Sequence, residues 1–151
     1  MSQSGGLGRL CGMNAILARS LAAALAITMG GNGLVMLAAG RWWYGAVPGV
    51  PTTGPFNPHF VKDIGAAYLV VGIAFAALAL RPTGLARGAA SASALFLVLH
   101  AGIHLADAIS DPMGAAHLLR DFPGVILPAL VAAWIAFPYA SKETRHAQSP
   151  A

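Results

Sequence analysis

The stretch SLAAALAITMGGNGLVMLAAG, residues 20–40, decides the fold. Its 21 residues carry no charge, and only Thr28 and Asn32 interrupt it with polar side chains. Because an α-helix rises about 1.5 Å per residue, a run of this length crosses a hydrocarbon core of about 30 Å. It is also longer than the apolar region of a cleaved signal peptide, so it reads as a permanent helix despite Arg9 and Arg19 ahead of it. Three further segments repeat the pattern, at 64–80, 88–109 and 122–139. The second is bounded by Asp63 and Arg81. The third carries His100, His104 and Asp107. The fourth contains Pro123, Pro128 and Pro138, and a kink is expected at Pro128, where one backbone hydrogen bond is lost. Residues 141–151 form a polar tail.

Composition agrees with that pattern. Only 9% of the 151 residues are charged and the mean hydropathy is +0.68, whereas a soluble domain needs about 25% charged residues to cover its surface. The expected architecture is a single all-α membrane domain of four transmembrane helices. A Pro/Gly-rich loop at 45–58 follows the first span, and a short helix at 112–120 precedes the last. Four prolines within 45–58 restrict the chain, which favours a packed lid over a mobile linker. The single cysteine, Cys11, excludes a disulfide scaffold. Basic residues are scattered singly, so nucleic acid is not an expected partner. No phosphate-binding glycine motif, nucleophile elbow or Cys-x-x-Cys-His haem attachment occurs.

Orientation follows from lysine and arginine in the short loops. Arg9, Arg19, Arg81, Arg87, Lys142 and Arg145 fall on one side, against Arg41, Lys62 and Arg120 on the other. Both termini are therefore expected in the cytoplasm, with 41–62 and 110–121 facing the periplasm. Trp42, Trp43 and Tyr44 suit the outer interface, where amphipathic rings settle.

The outward half also collects the ionisable groups. Four of the five acidic residues, Asp63, Asp107, Asp111 and Asp121, lie there with His59, His100, His104 and His117. Positions 100, 104, 107 and 111 share one helical face. His59 and Asp63 are four apart, as are His117 and Asp121. Imidazole and carboxylate ligands suit a transition metal, and the same pairing suits proton transfer. The candidate metal ligands are His100, His104, Asp107, His59, Asp63 and His117. Asn32 and Tyr68, about 12 Å and 8 Å deep by the same helical rise, are candidate ligand-binding partners for the histidine pair. Asn57, Asp111 and Asp121 each stand shortly before a proline and read as helix N-caps. Clustered glycines at 30, 31 and 33 read as close helix packing.

Residues 32–37 (NGLVML), 43–50 (WYGAVPGV) and 53–69 (TGPFNPHFVKDIGAAYL), with the spaced pair His100 and His104 and the DFPG at 121–124, resemble a family of small, uncharacterised bacterial four-helix inner-membrane proteins, loosely similar to the DoxX-like group. The resemblance extends over most of 30–135 and implies the four-helix topology and a bacterial inner-membrane location. It implies no activity. Three functions stay open: an accessory subunit of a membrane complex, with a membrane-protein partner or a second copy; a protein holding a transition metal or a proton-coupled redox site; and a protein binding a quinone or lipid. Thr53→Cys should be labelled by an impermeant thiol reagent in intact cells, and Gly84→Cys only after permeabilisation. The reverse pattern would overturn the orientation.

Overall fold

A computed structural model describes the backbone of residues 4–136 and the side chains of residues 15–136. Helix α1 runs Ser4–Ala46, a 3-10 turn follows at Val50–Thr53, α2 runs Pro58–Leu80 and α3 Gly84–Ser110. The last helix, α4, begins as Gly114–Asp121, passes through a π turn at Phe122–Ile126 and continues to Ala136. Four helical stretches are long and apolar enough to cross a membrane: Ala15–Ala46, Pro58–Leu80, Gly84–Ser110 and Gly114–Ala136. The chain is a small multi-pass integral membrane protein. Expected span residues 137–139, the polar tail and the side chains of Arg9 and Cys11 lie outside the described residues.

Two boundaries differ from expectation with a consequence for the site. Rather than standing apart, the short helix before the last span is the first part of that span, which therefore starts at Gly114 instead of 122. The irregularity expected at Pro128 appears one turn earlier, as the π turn in which the Leu127 N–H donates to the Phe122 carbonyl. Pro128 has no N–H for the Gly124 carbonyl, and its ring crowds that carbonyl. A wider turn immediately upstream relieves both problems without ending the helix.

Glycine sets how closely α1 and α2 approach. A Cβ at Gly33 would lie 2.6 Å from both the Gly65 carbonyl oxygen and the Leu69 amide nitrogen, and one at Gly72 would lie 2.5 Å from the Gly30 Cα. In a bilayer, where apolar surface gains nothing by leaving lipid, such contact supplies the attraction between helices. Gly31 and Gly102 have open space instead. Met36 is buried at this crossing, and below it the core is built largely from alanine, with Ala22, Ala90, Ala94 and Ala132 fully buried around Phe75 and Ile135. The outer faces are apolar too: Ile27, Leu34, Val70, Leu99, Ile103 and Leu130 are all exposed. That inside-and-outside apolarity is what a lipid solvent requires.

Helix ends are closed by side chains. Asn57 accepts from the His59 and Phe60 amides and Pro58 occupies the first turn, as the sequence predicts. Thr83 accepts from the Ala86 amide at 3.2 Å. Arg19 donates from Nε to the Ala79 carbonyl at 2.8 Å, so a cation on α1 caps the carboxyl end of α2. At the opposite end, hereafter the loop end, 47–56 is packed down as expected of a lid. Tyr44 donates to the Gly54 carbonyl, Phe56 meets the Tyr44 ring edge-on at 5.3 Å, and the Arg41 guanidinium lies 5.3 Å from the Phe56 ring centre.

Replacing Gly33 or Gly72 by valine should separate α1 from α2 and destabilise the protein in mixed micelles by about 3 kcal/mol, the upper range for overpacking. Gly31→Ala, with open space around it, should stay within about 0.5 kcal/mol. Equal effects at the three positions in detergent unfolding titrations would contradict the glycine crossing.

Candidate functional site

α3 and α4 run antiparallel, so their residues meet at matching distances from the loop end. His104 is six residues before Ser110 and Asp121 seven after Gly114, which places them about 9 Å and 10 Å along their helices. They meet there: His104 Nδ1 and Asp121 Oδ2 are 2.8 Å apart, with the carboxylate side chain only 12% exposed. Asp121 also accepts a two-pronged hydrogen bond from Arg120, Nε to Oδ1 at 2.7 Å and Nη2 to Oδ2 at 3.1 Å. An ionised carboxylate only accepts, so the shared hydrogen belongs to His104 Nδ1. The Arg120 guanidinium in turn rests on Gly49, whose backbone is left-handed at φ +86° and where a Cβ would collide with it. The loop, Arg120, Asp121 and His104 thus form one connected stack.

Deeper in, the stack becomes aromatic. The His100 and His104 ring centres are 4.8 Å apart. His100 lies parallel to Phe96 at 6.1 Å, and Tyr68 on α2 presents an edge to both His100 and Phe96 at 5.9 Å. Tyr68 is buried and His100 half-buried. Neither the Tyr68 hydroxyl nor a His100 ring nitrogen makes a hydrogen bond with another described residue. His100 stands ten residues before Ser110, about 15 Å in, at the middle of the hydrocarbon.

The other expected ligands are placed elsewhere. His59 and Asp63 pair with each other at 3.5 Å in an exposed position on α2. His117 lies 3.7 Å from Asp111. Asp107 is exposed and makes no polar contact. None of these closes over the histidines. Among the described residues no three His, Cys, Asp or Glu side chains gather as a metal-holding group, so the six expected ligands do not converge on one centre. Asn32 is also committed, because its carbonyl accepts from Trp43 Nε1 at 2.7 Å and its amide reaches Met36 Sδ at 3.6 Å. Eleven residues of straight helix would separate Asn32 and Trp43 by about 16 Å. A break in α1 at Ala39, with φ −137° and ψ 41°, accompanies their contact and turns Trp43 inward from the expected interface belt. Trp42 remains exposed.

Asp121 and Arg120 are the site residues that the sequence reading missed. With the last span taken to start at 122, Asp121 read as a cap at the water interface. In the structure its side chain caps no amide and lies within the span. The apolar spacing of Leu118, Leu119 and Phe122 was the available signal that the helix starts earlier. Asp111 is not the expected N-cap either: Met113 precedes the next helix without a side-chain cap, and Asp111 ends α3 and accepts from the Met113 amide at 2.7 Å within the turn. No protein-family model matches the sequence, and no curated protein or solved structure is significantly similar to it.

Proposed function

We propose that this membrane protein holds a lipophilic molecule with a hydrogen-bonding head, of the quinone class, against His100 and Tyr68. The observation that carries this proposal is the adjacent pair of hydrogen-bonding side chains, on two different helices, left without protein partners at a depth where water is scarce. Polar groups in hydrocarbon are costly to leave unpaired, by several kcal/mol in the absence of relief. A quinone carbonyl would accept from the Tyr68 hydroxyl and a His100 N–H, while its ring would lie against the Phe96 and His100 rings.

His104 is the positioning residue beneath. Asp121 orients its ring through Nδ1, and Arg120 neutralises the carboxylate. A transition-metal site has weaker support, because Asp121 is occupied by Arg120 and the remaining acids are remote. The role of accessory subunit fits the same site. Exposed Leu95, Leu99 and Ile103 border it on α3 and leave room for a partner helix or a second copy. The distribution of basic residues supports a site on the periplasmic half of the span, and the resemblance to small bacterial inner-membrane proteins supports that membrane.

In purified full-length protein, a short-chain benzoquinone analogue should bind saturably, read by quenching of intrinsic tryptophan fluorescence. Tyr68→Phe and His100→Leu should each weaken binding about tenfold, the upper range for one hydrogen bond. His59→Ala, remote and exposed, should not change it. Unaltered affinity in both deep variants would overturn the proposal, and a stoichiometric metal lost from both would move the site to the metal reading.

A further inference from the structure

At the end opposite the histidines, α2 and α3 diverge above their short turn and leave a groove of about 760 Å³, open along one side. Its walls are apolar, with Val70, Ile73 and Ala77 on α2 and Leu85 and Ala89 on α3. Alanine at several of these positions leaves the volume unfilled. Arg81 and Thr83 stand at its mouth. The Arg81 side chain is exposed and its guanidinium makes no hydrogen bond or ion pair with a described residue. Arg19 and Arg87 share this end, whereas the described acids, Asp63, Asp107, Asp111 and Asp121, all lie toward the other.

Dimensions select the occupant. From Val70 to Arg81 is eleven residues, about 16 Å of helix, and one leaflet of hydrocarbon is about 15 Å deep. The groove is therefore one leaflet long and cationic only where a headgroup would stand.

We propose that this groove is a binding site for an anionic phospholipid, which lays its acyl chains between α2 and α3 and sets its phosphate on Arg81. The attraction is charge complementarity at the headgroup and apolar contact below it. The site is separate from the histidine stack, and the two do not depend on each other.

The test uses full-length protein in mild detergent, exposed to mixed vesicles of phosphatidylglycerol and phosphatidylcholine with identical acyl chains, followed by native mass spectrometry of retained lipid. The expected result is retention of phosphatidylglycerol over phosphatidylcholine by about fivefold, the effect of one basic residue near an anionic headgroup. Arg81→Gln should erase that preference, and its exposed position keeps the fold intact. Ala77→Phe should fill the groove and displace retained lipid of either headgroup, whereas Arg41→Gln at the far end should change nothing. Equal retention of the two lipids by the unmodified protein would overturn the proposal, as would a preference that survives Arg81→Gln. A dimer that covers the groove and carries no lipid would overturn it in favour of a second copy.

Discussion

A carboxylate seven residues inside a membrane helix has to be neutralised where it stands. Placing an aspartate at the centre of a spanning helix costs about 2.5–3.5 kcal/mol on insertion scales, and partners lower that cost. Asp121 meets this constraint twice, with the guanidinium of Arg120 on its own helix and the imidazole of His104 on α3. Each partner has a second consequence. Arg120 ties the helix to the loop through Gly49, and His104 is oriented through Nδ1 beneath His100. Buried ion pairs contribute little net stability, because desolvation offsets most of the attraction. What this one supplies is register, since α3 and α4 can satisfy the pair at only one relative height.

That register needs a scaffold that does not slide. The close crossing at Gly30, Gly33, Gly65 and Gly72 joins α1 to α2 and fixes the wall on which Tyr68 sits. The π turn at Phe122–Ile126 sits directly after Asp121, so the proline that disturbs the helix leaves its first two turns regular and the carboxylate held on the α3 side. The stack's own polar atoms are thus satisfied outward from His104, through Asp121 and Arg120. Inward from it the protein stops providing partners, and the hydrogen-bonding capacity of His100 and Tyr68 is left for something else.

Much of this was legible in the chain. Apolar runs of about 20 residues identified the spans, Asn57-Pro58 fixed the start of α2, and the glycines of α1 pointed to close packing. The depth of His104 also followed from counting residues. Legibility failed where a choice depended on a helix boundary. The acid at 121 is a cap if the span begins at 122 and a part-buried ion within the span if it begins at 114, and both starts place a proline near the first turn of a helix. The spacing of His100, His104 and Asp107 showed a shared face but not its direction. One turn of difference in what packs against it leaves His104 inside and Asp107 exposed. Asn32 failed for another reason, because the break at Ala39 that accompanies its contact with Trp43 has no proline to announce it.

Asp121 holds His104 across the α3–α4 contact, and nitrogen NMR of histidine-labelled protein in nanodiscs tests this most directly, with His104→Gln used to assign the resonance. The account predicts that His104 holds a hydrogen-bonded proton on Nδ1 without exchange between tautomers, and that Asp121→Ala releases it while the exposed His59 ring is unchanged. A His104 ring that averages between tautomers as His59 does, with or without the aspartate, would contradict the account.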